Sequence, residues 1–289
     1  MLAGACGGPV PSVDTPTTSP AVVSSATPQP TATPSPASPK PGPSASATPA
    51  PAAITPCPGK VEVVRSHGTT KTDQSTDWSG YTVSSTSTPF TCVEATWTQP
   101  TIVCHGTSLS VVAFWVGIGG VGQAGLVQTG TQTQCLHGTA TIGAWHQSLP
   151  KERYATTVDM TVAAGDRIHA QVLRSGRTSY ALKLENLTTG ASFSVTSTNK
   201  TLDPTTAEWI VEAPAVGCPA SCRVAALPDF GTVTFSGVST TIKGVNDLLD
   251  GFGFVHTRTT LVTSSRRVRA KVSSTGSDGR SFAVTWVRS

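Results

Sequence analysis

Charge is scarce in this chain. Of its 289 residues, 12% are Asp, Glu, Lys or Arg, and only six are glutamates. Aromatic residues amount to 6%, and none occurs before Trp78. No apolar run of about 18 residues is present, so nothing in the sequence reads as a membrane-spanning helix. The common catalytic signatures are missing too: no GxSxG elbow, no HExxH, no P-loop and no dinucleotide fingerprint. The six histidines are scattered, none at metal-ligand spacing. No metal or cofactor is therefore expected. Arg267, Arg269 and Lys271 alternate with Val268 and Ala270, which reads as a strand with one basic, solvated face. No aromatic residues are interleaved there, so a nucleic-acid partner is not expected.

What the chain does have is 27 Gly and 22 Pro, with abundant Ser, Thr and Val. Residues 10–58 are almost wholly Pro, Ser, Thr, Ala and Val, with Asp14 and Lys40 as the only charges. Such a segment cannot bury enough apolar surface to offset its ordering entropy. It reads as a tether, which at about 3.1 Å per residue reaches on the order of 150 Å. Residues 1–9 contain "LAGACGG", which resembles the end of a bacterial lipoprotein signal and makes Cys6 a candidate lipid anchor. Residues 59–289 are then the folded domain. An extracellular or envelope-attached monomer is the expectation.

Beyond Cys6, the cysteines are Cys57, Cys92, Cys104, Cys135, Cys218 and Cys222. An even set without a CxxC pair favours disulfides in an oxidising compartment. The short loop "GCPASC" favours joining Cys218 to Cys222, and Cys104 with Cys135 would bracket one long segment. Runs rich in Val, Thr, Ile, Phe and Trp recur with turn residues between them, as at Thr188-Thr189-Gly190. Ten or more strands without intervening helices predict an all-β antiparallel sandwich. Only "IKGVNDLLDGFG" invites a helical turn.

Two stretches hold unusual chemistry. "TAEWIVEAP" concentrates two of the six glutamates among apolar residues. As a strand it places Glu208, Ile210 and Glu212 on one face and Trp209 and Val211 on the other. Four residues along a strand put the two glutamate Cα atoms about 13 Å apart. That is too far for the paired carboxyls of a glycosidase, about 5–9.5 Å apart. A catalytic partner should come from another strand. "FWVGIGGVGQAGLVQTG" supplies Gln128, whose amide donates a hydrogen bond to a developing oxyanion at any pH. A carboxylate and an amide suffice for hydrolysis of an acyl bond by direct water attack. A weakened homologue that only binds peptides, or a carbohydrate-binding sandwich with Trp78, Trp115 and Trp145 as its platform, are the alternatives. An aspartic peptidase is not one of them: the nearest strings to its Asp-Thr/Ser-Gly turns, "TDWSG" and "LPDFG", do not match.

The strings "DWSGYTV", "FTCVEATWTQP", "FWVGIGG", "LVQTG", "AAGDRIHAQV", "LENLTTG", "TAEWIVEAP" and "LPDFGTVTFSG" occur in an order that resembles the glutamic peptidases, or eqolisins. The resemblance implies two packed, curved seven-stranded antiparallel sheets. It also implies a pepstatin-insensitive endopeptidase acting at acidic pH on polypeptides. By position it makes Glu208 and Gln128 catalytic and places Trp78 and Trp115 in the cleft. Glu212 is then a neighbouring or substrate-side residue and the alternate base, and Trp145 is a further substrate-binding candidate. The base is expected to keep a low pKa through hydrogen bonding. Departures from the pattern are Gly119, where an acidic residue is usual, and "GAWHQS", with Ala144 and His146. If His146 faces the substrate it would shift the pH profile. The basic domain also argues against a strongly acidic optimum.

Overall fold

The computed structural model describes residues 54–61, 68–247, 249 and 254–289. The N-terminal anchor and most of the tether expected from the sequence, including Cys6, lie outside them. The described chain contains strands and turns only. In order the strands are β1 (Lys60–Val61), β2 (Thr70–Ser75), β3 (Trp78–Ser84), β4 (Phe90–Thr98), β5 (Ser110–Gly119), β6 (Leu126–Leu136) and β7 (Thr139–Leu149). They continue with β8 (Thr156–Val158), β9 (Arg167–Arg174), β10 (Ser179–Asn186), β11 (Ser192–Thr198), β12 (Thr206–Glu212) and β13 (Ala215–Val216). The last are β14 (Arg223–Val224), β15 (Thr232–Ile242), β16 (Val245–Asp247), β17 (Val255–Val262), β18 (Val268–Val272) and β19 (Phe282–Trp286).

Two layers pack face to face. The first runs β1–β16–β15–β4–β9–β10–β11. The second runs β8–β7–β6–β5–β12–β3–β17–β2, and β18 and β19 extend it from the end of β17. Pairings are antiparallel except β1 with β16 and β2 with β17. β15 belongs to both layers: Thr232–Phe235 pairs with β19, and after a register irregularity Ser236–Ile242 pairs with β4. A bulge of this kind bends a strand from one sheet into the next.

The main core lies between the layers. Trp209 and Val211 of β12 enter it beside Phe114 and Val116 of β5, against Trp97 of β4 and Ile168 of β9. The Trp209 indole N–H crosses the interface to donate to the Glu94 carbonyl at 2.8 Å. β5 is buried along its whole length, because the opposite face of its sheet carries a second apolar cluster. A strand covered on both faces has no reason to alternate, which explains the continuous run "SVVAFWVGIG".

Three disulfides join Cys57 to Cys92, Cys104 to Cys135 and Cys218 to Cys222. The two pairs favoured from the sequence are both formed, and the third uses the remaining cysteines. Cys57 ties the segment before β1 onto β4.

Two local expectations fail. The described part of "IKGVNDLLDGFG" forms no helical turn: β15 and β16 close as a hairpin at Lys243 and Gly244, with φ of 51° and 75°. Arg269 is not on a solvated face. Its side chain is buried and a guanidinium N–H donates to the Ala225 carbonyl at 2.8 Å.

Candidate active site

Strand register decides which side chains share a surface, because residues directly opposite one another point the same way. Gly117 of β5 is opposite Gln128 on one side and opposite Glu208 on the other. Glu208 is in turn opposite Thr82, and Gln128 opposite Gln147. One cross-strand row therefore reads Gln147, Gln128, Gly117, Glu208, Thr82. The next reads Trp145, Gly130, Trp115, Ile210, Gly80. A third places Ala113 and Trp78 on either side of Glu212.

All six residues anticipated from the sequence stand on this one face, turned away from the main core. Trp78, Trp115 and Trp145 form the second apolar cluster with Ala113, Leu126, Leu149 and Ile210. Trp78 meets Trp115 edge-on, with ring centroids 5.1 Å apart at 78°. Both are buried, which is not the coplanar exposed platform a sugar would stack on. Glu212 accepts the Trp115 indole N–H at 2.8 Å, so this carboxylate orients the ring.

Gln128 and Glu208 are separated by two strand spacings, about 9–10 Å between Cα atoms. Glycine between them lets the Trp115 ring and the Leu126 side chain pack close over β5. A Cβ at Gly117 would lie 2.9 Å from the Trp115 ring and 3.3 Å from the Gln128 Cβ.

Glu208 is fully buried, and among the described residues no donor is aligned for a good hydrogen bond to either carboxylate oxygen. Desolvation pushes its pKa well above the ordinary carboxylate range, outweighing the Thr206 hydroxyl, which lowers it. The expectation that hydrogen bonding would offset desolvation is thus corrected: burial outweighs what the Thr206 hydroxyl supplies. The Gln128 amide N–H donates to Gln147 Oε1 at 2.9 Å, while its Oε1 has no partner among the described residues.

His146 faces the other way, into the space between the layers, and stacks on Phe193 at 5.6 Å. Its pKa is lowered by burial, partly countered by Glu152. Gly119 sits at φ 95°, and a Cβ there would meet the Leu202 side chain at 2.1 Å and the Gly125 carbonyl at 2.5 Å. The acidic side chain absent at this position has no room. The sequence reading missed Gln147. The alternation that places Trp145 on the site face puts Gln147 there too, and His146 opposite. No group of three or more metal-ligating side chains occurs among the described residues.

Residues 76–285 match the Peptidase A4 family. Aspergillopepsin-2 of Aspergillus niger is 28% identical over 205 residues, spanning 63% of this chain and 70% of that protein. Scytalidopepsin B of Scytalidium lignicola is 35% identical over 127 residues, or 43% and 46% of the two chains. The crystal structure of scytalido-glutamic peptidase with a peptide-based transition state analog superposes with a TM-score of 0.63. It is 26% identical and covers 73% of this chain and 98% of that one. The chain belongs to the Peptidase A4 family, the eqolisins or glutamic peptidases, and is by that membership a glutamic endopeptidase.

Proposed function

We propose that the protein cleaves polypeptides internally by direct attack of water, with Glu208 as general base and Gln128 as oxyanion donor. The observation that carries this reading is the shared row: both side chains stand on one sheet face, on either side of Gly117. Ionised Glu208 takes a proton from water as the water oxygen bonds to the scissile carbonyl carbon. The carbonyl oxygen becomes an oxyanion that accepts an N–H from Gln128. Protonated Glu208 then gives its proton to the amide nitrogen, the C–N bond breaks, and a carboxylic acid and an amine leave. Trp78, Trp115 and Trp145 line the substrate side, and Glu212 holds Trp115 in place.

A carboxylate desolvated and unpaired is a stronger base than a solvated one, which helps proton removal from water. It must still be ionised to begin, so activity rises as pH passes the elevated Glu208 pKa. The acid limb of the pH profile then lies above the ordinary glutamate range. Pepstatin is addressed to paired aspartates and has no such pair to bind here. The disulfides fit a protein exported to an oxidising compartment, with Cys6 as the proposed lipid anchor.

The test is cleavage of an unfolded protein from pH 2 to 7 with pepstatin present, by wild type, Glu208→Gln and Gln128→Ala. Wild type is expected to cleave, Glu208→Gln to lose activity by at least about a thousandfold, and Gln128→Ala by about 100- to 1000-fold, the range for one oxyanion donor. Retained activity in Glu208→Gln would overturn the assignment and direct the same test to Glu212.

A further inference from the structure

We infer that Gln147 is a positioning residue that sets which end of the Gln128 amide faces the substrate. The inference rests on the Glu208–Gln128 reading above. A glutamine amide fits its site in two orientations of nearly equal shape, and a flip exchanges donor for acceptor. A catalytic amide therefore needs something to fix its sense. Here the sense is fixed from a main-chain group that can only accept. Gln147 Nε2 donates to the Glu152 carbonyl oxygen at 3.0 Å. With its N–H committed there, Gln147 presents Oε1 to Gln128, and Gln128 must answer with Nε2, at 2.9 Å. The second Gln128 N–H and its Oε1 remain for the substrate and the water.

The anchor is itself held. The Glu152 N–H donates to the Ser148 carbonyl at 2.8 Å, and the Ser148 N–H donates to Glu152 Oε2 at 2.8 Å. These two bonds close the turn after β7 around the carbonyl that Gln147 reads. Both amides are fully buried, so water does not compete for the bonds between them. Around Gln147, the titratable groups are Glu208 across Gly117, Glu152 in the turn, and His146 on the opposite face, 3.5 Å from Glu152 Oε2.

The experiment compares Gln147→Leu and Gln147→Glu with wild type in the full-length protein. It measures kcat and KM on a peptide substrate across pH, with thermal melts to confirm folding. Gln147→Leu frees the Gln128 amide to flip. It should lower kcat by about ten- to a hundredfold with KM within about threefold, the size of a misplaced catalytic group. In Gln147→Glu, a protonated carboxyl both donates to the Glu152 carbonyl and accepts from Gln128, whereas the anion cannot donate. Its kcat should approach wild type at the acid end and fall away from it as pH rises. Wild-type kcat in a folded Gln147→Leu variant would overturn the inference. If that variant fails to fold, a Gln147→Glu loss that does not change with pH would overturn it instead. Should Gln128→Ala and Glu208→Gln remain active, the dyad itself has failed. Should they be inactive while both Gln147 variants behave as wild type, only the positioning role has.

Discussion

Two buried glutamates on different layers show how neighbours, rather than burial alone, set the behaviour of a carboxyl. Glu94 is pushed up by desolvation, yet hydrogen bonds from His169, Ser239, the Cys57 N–H and Gln171 outweigh this and lower its pKa. Glu208 has desolvation without those donors, and its pKa is raised. The consequences for stability have opposite signs. Glu94 stabilises the fold above its unfolded pKa, and that contribution is lost as pH falls through the folded one. For Glu208, the unfolded chain releases its proton first as pH rises, so the folded state loses stability from the ordinary glutamate range up through the raised pKa. Each unit of elevation corresponds to about 1.4 kcal/mol. Glu208→Gln keeps the shape and abolishes the titration. It should match wild type in denaturant stability at pH 3 and exceed it at pH 7, while losing activity. Equal stability at both pH values would show that the folded carboxyl titrates normally.

At the scale of elements, the alternation in "TAEWIVEAP" was legible in full: Glu208, Ile210 and Glu212 take one face, Trp209 and Val211 the core. The same alternation in "GAWHQS" puts Trp145 and Gln147 on one face and His146 on the other. What the sequence does not carry is strand adjacency. Glu208 and Gln128 are eighty residues apart and meet only because β5 lies between β6 and β12, an arrangement set by non-local packing. Nor does a local pattern reveal that Glu208 lacks donors, since these would come from other strands. The turn from β5 to β6 is a further case, in which a missing acidic residue is explained by geometry. Gly119→Asp should not restore a carboxylate to the site. With φ at 95° and Leu202 and the Gly125 carbonyl in its way, it should destabilise by about 2–4 kcal/mol, summing backbone strain and overpacking. The readout is the denaturation midpoint, and a loss below about 0.5 kcal/mol would mean the turn can rearrange to admit a side chain.

Across the whole molecule, a site drawn from β3, β5, β6, β7 and β12 needs long-range pairings to form before any of its chemistry exists, and their loop-closure entropy weighs against folding. The disulfides reduce that cost by restricting the unfolded chain. Cys57–Cys92 and Cys104–Cys135 close sequence separations of 35 and 31, whereas Cys218–Cys222 closes only 4. Cys104–Cys135 bears most directly on the site, because it joins the segment before β5 to the end of β6, the two strands that place Gly117 and Gln128. On the chain-entropy relation its removal should cost about 3–4 kcal/mol, and removal of Cys218–Cys222 about 2 kcal/mol. The Cys104→Ser/Cys135→Ser double variant should therefore melt below the Cys218→Ser/Cys222→Ser variant, and both should retain activity at temperatures where they remain folded. The comparison is made by urea titration of each pair against wild type, with peptide cleavage assayed below the transition. Equal losses from the long and short loops would mean that native contacts around the sulfurs, rather than restriction of the unfolded chain, carry the stabilisation.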